Sequence, residues 1–241
     1  MLRVLILGGT TEASALARSL AGRTRAPVLP PIACRIGGFG GGAGLADYLR
    51  AERIAALVDA THPFAARMSA NACEAAGLTG VSLLRINRPE WQPRAGDRWT
   101  LVANMAQAAR MLGEAPRHVL LTIGQQDLAP FAAAPWHDYV IRSVDAPAPA
   151  SLPPRTVVLT ARGPFAEPQE HALLLEQKIT VLVTKNSGGG ATAAKLAAAR
   201  SLGLEVVMIL RPLLPEASEV TDAGAALDWL AHQASSRPRG V

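Results

Sequence analysis

The chain has little cysteine, few aromatic residues and no long apolar run, and each deficit excludes a class of protein. Only Cys34 and Cys73 occur among 241 residues, neither with a cysteine nearby. Neither a disulfide framework nor a thiolate zinc site is therefore expected, and both residues read as small buried apolar groups. No apolar stretch approaches the ~18 residues that cross a bilayer. The apolar opening, residues 2–7, runs at once into Gly8-Gly9 instead of a signal-peptide pattern, so no membrane role and a cytoplasmic location are expected. Phe, Trp and Tyr make up 4% of the chain, too few to interleave with a basic cluster as a nucleic-acid surface requires. Several catalytic signatures are missing as well. Neither Tyr48 nor Tyr139 is followed by lysine four residues on, there is no G-x-S-x-G turn, and the histidines form no H-E-x-x-H. Carbonyl reduction by a Tyr-x-x-x-Lys pair, the serine-hydrolase route and a zinc-protease site all lack their residues, and no metal site is indicated.

What is present is the pattern of an α/β protein. Apolar residues make up 49% and charged residues 18%, enough to bury a core. Short Val/Ile/Leu runs alternate with Ala/Leu-rich segments of helical period, as in parallel strands joined by covering helices. Strands are expected at 2–7, 28–34, 54–60, 81–85 and 99–103, and again at 117–122, 138–143, 156–160, 179–184 and 205–210. Thr10 or Thr11 suits the cap of a first helix whose Ala13, Leu16, Ala17 and Leu20 share one face, and another helix is expected to open near Pro63. The polar break Gly113-Glu114-Ala115-Pro116 divides the two sets of strands. The expectation is two Rossmann-like domains, 1–113 and 114–241, each a parallel sheet covered by helices, with the active site in the cleft between them.

Loops at the carboxyl ends of parallel strands carry ligands in such folds. Gly8-Gly9-Thr10-Thr11-Glu12 joins a strand to a helix and suits a nucleotide phosphate, although Thr10 replaces the second glycine of G-x-G-x-x-G. A tight turn without ligand is the other reading. At the end of the second run Cys34-Arg35 stands where an acidic residue would meet a ribose. An arginine suits a 2′-phosphate, which favours NADPH over NADH, unless Arg35 is a solvated surface residue. Gly38-Phe39-Gly40-Gly41-Gly42-Ala43 is expected to be a mobile lid or a flexible connection. Thr61 and His62 follow a buried strand, where His62 could bind a carboxylate, touch a nicotinamide or move a proton, or only satisfy local backbone. Arg67 lies about one turn further on. Thr184-Lys185-Asn186-Ser187-Gly188-Gly189-Gly190 repeats the strand–loop–helix device with a cation added, so an anion is expected there. Ala161-Arg162-Gly163-Pro164-Phe165 and Ile123-Gly124-Gln125-Gln126-Asp127 follow neighbouring strands.

Taken together, Leu7-Gly8-Gly9-Thr10-Thr11-Glu12, Asp59-Ala60-Thr61-His62-Pro63-Phe64-Ala65, Gly163-Pro164-Phe165 and Thr184-Lys185-Asn186-Ser187-Gly188-Gly189 resemble, in order and spacing, the motif set of the precorrin-6A reductases of cobalamin biosynthesis. Asn186 stands where aspartate is common, and Leu121-Thr122-Ile123-Gly124 lacks a second threonine before its glycine. The resemblance implies NADPH-dependent reduction of a double bond of precorrin-6A, or of its cobalt-containing counterpart, to the dihydro product. It implies precorrin-6A as the molecular partner, with neighbouring enzymes of the same pathway as further candidates. On this reading residues 1–113 hold the coenzyme, through Gly8, Gly9, Thr10, Thr11, Glu12, Arg35 and Thr61, and residues 114–241 hold the substrate. The net charge of +5 suits a tetrapyrrole bearing many carboxylates. Arg35, Arg67, Arg88, Arg142, Arg162, Lys185 and Arg211 form the pool of anchoring cations, with Gly124, Gly163, Asn186 and Ser187 beside them. His62 or a bound water would supply the proton. Another NADPH-dependent reductase of an anionic substrate, or a non-catalytic nucleotide sensor, would share the same loops.

Overall fold

Apolar runs bounded by Gly, Pro or Asp become short strands, and the Ala-rich segments between them become helices. In the computed structural model, which describes residues 2–22 and 32–235, the elements are β1 (Val4–Leu7), α1 (Thr11–Leu20), α2 (Gly41–Ala51), β2 (Ala56–Asp59), α3 (Ala66–Thr79), β3 (Ser82–Ile86), β4 (Arg98–Val102), α4 (Met105–Met111), β5 (His118–Thr122), β6 (Asp138–Ser143), β7 (Thr156–Thr160), α5 (Glu167–Glu176), β8 (Val181–Lys185), α6 (Ala194–Ser201), β9 (Glu205–Ile209), β10 (Ser218–Val220) and α7 (Ala223–Ser235). No helix among the described residues is long and apolar enough to cross a membrane.

The strands form two wholly parallel sheets, ordered β1-β2-β3-β10 and β4-β9-β8-β5-β6-β7. In the first, the alternation of a strand sorts Ala56 and Val58 to one face, with Leu16 of α1 and Leu230 of α7. It sorts Leu57 to the other, with Leu45 and Leu49 of α2 and Ala72 of α3. Of the apolar face expected on α1, Ala13, Leu16 and Ala17 are buried while Leu20 is exposed. In the second sheet Leu120, Leu182, Val206 and Met208 pack with Leu174 of α5 and Leu196 of α6.

The chain divides into unit 1, Met1–Pro89 with Pro212–Val241, and unit 2, Glu90–Arg211. This differs from the expected break at 113/114, which is an ordinary connection between α4 and β5 inside unit 2. Each unit takes an element from the half of the chain that holds most of the other. Strand β4 ladders with β9, from Arg98 beside Glu205 to Val102 beside Ile209, and β10 ladders with β3 while α7 covers the first sheet. Strand pairing, which is invisible to local composition, decides membership.

Four further expectations change. Of the strand expected at 28–34, residues 28–31 lie outside the described residues and 32–34 are not in a strand. The glycine-dense stretch is no lid. Gly40 takes a left-handed conformation at φ +84° and α2 starts at once. A Cβ on Gly42 would fall 2.2 Å from the Glu74 carboxylate, and one on Gly44 1.9 Å from the Phe39 carbonyl oxygen, so glycine is needed here for close packing rather than mobility. Helix α3 opens at Ala66, three residues after Pro63, because the Ala65 amide donates to the His62 carbonyl and the Phe64 amide to the His62 ring, closing a turn first. Cys34 is exposed and Cys73 half-buried, so the reading of both as core residues does not hold.

His137 is fully buried between Trp136 and Tyr139, and neither ring nitrogen has a hydrogen-bond partner among the described residues. Burial holds its pKa below the ordinary imidazole value, opposed by the nearby Gly113 carbonyl and by Asp138 and reinforced by the charge of Arg117. A depressed histidine favours the neutral, folded form. Its contribution is present above pH ~6.5 and is lost as pH falls through the lowered folded value. The melting temperature is expected to fall between pH 7 and 5, and His137→Phe to flatten that fall; an unchanged slope in the variant would refute the assignment.

Candidate functional site

In unit 1, Gly8 through Glu12 leaves the carboxyl end of β1 and enters α1. Gly9 has φ +106° with open space where a side chain would stand, which only glycine adopts without strain. Thr10 is the N-cap: its hydroxyl accepts from the Ala13 amide at 3.1 Å and donates to the Ala60 carbonyl at 2.7 Å, tying the loop to the end of β2. The amides of Gly9, Thr10 and Thr11 have no acceptor among the described residues, so three donors adjoin the N-terminus of α1. Glu12 pairs with Arg88 at 2.8 Å. Burial pushes its carboxyl up, but the hydrogen bond from its own amide, the charge of Arg88 and the Thr11 hydroxyl outweigh this and leave it below the usual range. Arg88 thereby cancels a negative charge that would repel a phosphate. Thr10, Glu12, Thr61, Pro63, Ile86 and Arg88 line one depression.

Thr61 is set by Asp59, whose buried carboxylate accepts from both the Thr61 hydroxyl (2.7 Å) and its amide (3.2 Å) and pairs with Arg85. His62 Nδ1 accepts from the Phe64 amide at 3.2 Å, so in the neutral ring the proton sits on Nε2. Arg67 is exposed and has no ion-pair partner among the described residues. Arg35 precedes α2 in a loop rather than ending a strand. Its guanidinium donates to the Gly38 carbonyl and lies 4.9 Å from the Phe39 ring centroid and 5.5 Å from that of Tyr48, an exposed cation in a defined place.

In unit 2 the strand order reverses between β5 and β8, the switch point at which open α/β sheets bind ligands. The loops meeting there are those of Gly124 and Lys185. Lys185 Nζ pairs with Asp127 Oδ2 at 2.6 Å. A Cβ on Gly124 would lie 3.2 Å from that carboxylate and 3.6 Å from the ammonium, so Gly124 keeps room for the pair. Beyond them Gly188 and Gly189 adopt φ +67° and +75°, and the amides of Gly188, Gly189 and Gly190 have no acceptor among the described residues. Successive amides of this kind form an anion-binding concavity. The loop after β7 packs on the same segment: the Phe165 amide donates to the Ala191 carbonyl at 3.2 Å, and a Cβ on Gly163 would lie 3.2 Å from that oxygen. Gly163-Pro164 is a cis peptide. Arg162 is exposed, with no ion-pair partner among the described residues.

Other expected anchors are engaged by the protein. Arg142 is buried, pairs with Glu170 through both guanidinium nitrogens and stacks 4.0 Å from the Phe165 ring centroid. Asn186, 3% exposed, accepts from the Trp91 amide and donates to the Trp91 carbonyl. Arg211 donates to the carbonyls of Asn186 and Ser187. The Ser187 amide and hydroxyl both turn back to the Lys185 carbonyl. These contacts tie the four residues into the protein around the loop. Reading the sequence missed Trp91, Glu170 and Lys195. Lys195 is 4% exposed with its ammonium 5.2 Å from the Trp91 ring centroid, and burial pushes its pKa down to about 7, Arg142 adding to the effect and Glu170 opposing it. A lysine ten residues past Lys185 in an Ala-rich helix carries no pattern that would have exposed it.

The family model described as Precorrin-6x reductase CbiJ/CobK matches residues 3–231. A precorrin-6A reductase of Sinorhizobium sp is 51% identical, over 95% of this chain and 93% of its own length. That of Rhodobacter capsulatus is 49% identical over the whole of both chains. A solved structure of CobK precorrin-6A reductase superposes with a TM-score of 0.90 at 49% identity, covering both chains completely.

Proposed function

Because this chain belongs to the Precorrin-6x reductase CbiJ/CobK family, we propose that it reduces a double bond of precorrin-6A in cobalamin biosynthesis with NADPH as the hydride source, giving precorrin-6B. The observation that carries this reading is the occurrence, one in each unit, of a strand–helix loop whose glycine amides have no protein acceptor: Gly9 to Thr11 in unit 1 and Gly188 to Gly190 in unit 2. Each suits an anionic group.

Unit 1 fits the coenzyme. Gly9 leaves open space for a pyrophosphate, Thr10 holds the loop to β2, and Arg88 neutralises Glu12. Arg35 is the cation for a 2′-phosphate, which is the reason for NADPH over NADH. The bound coenzyme supplies the hydride. Unit 2 then takes the macrocycle, with Lys185 and Arg162 for its carboxylates and the Gly188–Gly190 amides beside them; Arg67 of unit 1 is a further exposed cation. Several remote carboxylates held at once orient the ring, and that binding energy lowers the barrier at the reacting carbon. His62 has Nδ1 occupied by the Phe64 amide, so Nε2 is the atom that would deliver the proton.

Anaerobic mixing with precorrin-6A should consume one equivalent of NADPH with a change in the tetrapyrrole spectrum, and NADH should serve far less well. NADPH binding without oxidation would point to a nucleotide sensor. Oxidation only with a different anionic acceptor would point to another reductase.

A further inference from the structure

Trp91 is held by the loop after β8 at three points. Its amide donates to Asn186 Oδ1 at 2.9 Å, its carbonyl accepts from Asn186 Nδ2 at 3.2 Å, and its indole N–H donates to the Gly189 carbonyl at 2.8 Å. The ring lies over the buried Lys195 ammonium, which has no hydrogen-bond acceptor among the described residues, so the cation–π contact joins the Glu170 carboxylate in compensating that charge. The chain enters unit 2 at Glu90 and leaves it after Arg211. Both points are tied to the same loop, Glu90 by Asn186 Nδ2 and Arg211 through the Asn186 and Ser187 carbonyls.

The consequence concerns Gly188 and Gly189. Two consecutive glycines at positive φ have many alternative conformations, and an anion-binding concavity works only when its amides converge. The Gly189 carbonyl is pinned by the Trp91 indole. Pinning that peptide orients the following amide, that of Gly190, and restricts the rotation of the two residues before it. A loop ordered before the ligand arrives does not lose that conformational freedom on binding.

We propose that Trp91 is a positioning residue for the reaction, holding the Lys185–Gly190 loop in the shape that receives a carboxylate of the substrate. This rests on the reading of that loop as a substrate loop. Trp91 acts through Gly189 and Asn186, and it need not touch the ligand itself.

The test is Trp91→Phe in the full chain. Phenylalanine keeps both backbone hydrogen bonds to Asn186 and an aromatic face over Lys195, and removes the indole donor together with part of the ring that packs on the core. The expected result is a rise of about tenfold in KM for precorrin-6A, the size of one lost hydrogen bond, with kcat and KM for NADPH within twofold and a melting temperature lowered by only a few degrees, about what the lost bond and ring contacts cost. A residue that merely packs would lower the melting temperature and leave KM alone, and that outcome overturns the proposal. Should Trp91→Phe fail to fold, Asn186→Ser carries the test, since it breaks the paired contact to the Trp91 backbone and predicts the same selective rise. Lys185→Met run in parallel separates the two ideas. If it raises KM while Trp91→Phe does not, the loop binds substrate and only the positioning role fails. If neither variant alters KM, the substrate-loop reading fails and the proposal fails with it.

Discussion

Glu170→Ala is expected to lower the unfolding free energy of unit 2 by about 3–5 kcal/mol, the cost of leaving a buried charge without its partner. The Arg142 and Glu170 side chains are 6% and 2% exposed, so water cannot take over the lost interaction. The Lys195 ammonium lies in the same neighbourhood, and Glu170 is the carboxylate that raises its pKa against burial and Arg142. Without Glu170 two cations share a buried region with no anion. Lys195 then loses its proton at a still lower pH, but the guanidinium, which cannot neutralise itself, remains charged. The double variant Arg142→Met/Glu170→Leu should recover most of the loss, because a buried ion pair exchanged for apolar residues of similar size costs little. Urea titration followed by indole fluorescence reads the effect, since Trp91, Trp99 and Trp136 lie in unit 2 and Trp229 in unit 1. A loss below about 1 kcal/mol, the range of solvated pairs, would show that solvent reaches the pair.

Lys185→Met is expected to reduce kcat/KM for precorrin-6A about 100-fold, chiefly through KM, the size of a partly desolvated charged contact that is lost. Lys185 stands at the switch point of its sheet, 2.6 Å from Asp127, and the Asp127 carboxylate holds the ammonium ready while competing with any carboxylate that arrives. Asp127→Asn should therefore weaken binding little or strengthen it. A structural salt bridge predicts the reverse pattern, with both variants destabilising and neither altering KM. Steady-state kinetics beside a thermal melt distinguishes the two.

Much of the fold was legible from the sequence because a strand buried on both faces is a run of apolar residues and a helix start needs a cap. Leu120 and Leu121 of β5, Val183 of β8 and the Thr10 cap could be read on those grounds. The loops of the candidate site were legible for a related reason: a ligand site at a strand's carboxyl end needs glycine where φ is positive, as at Gly9, Gly188 and Gly189. What each polar group in those loops does was not legible. Arg142 and Arg162 look alike in sequence, yet one is paired with Glu170 inside the protein and the other is exposed. The difference depends on a carboxylate 28 residues away.

The sequence by itself determined the class of fold, two parallel sheets covered by helices, and the loops that carry its chemistry, since both follow from apolar periodicity and backbone freedom over a few residues. Only the tertiary structure decided how the chain is shared between the units, that the glycine-dense stretch begins α2 instead of forming a lid, and which cations are committed to internal partners. Those outcomes rest on contacts between residues far apart along the chain: β4 against β9, Gly42 against Glu74, and Asn186 against Trp91. The energies of such contacts depend on distance and burial in the folded molecule, and no local pattern encodes them.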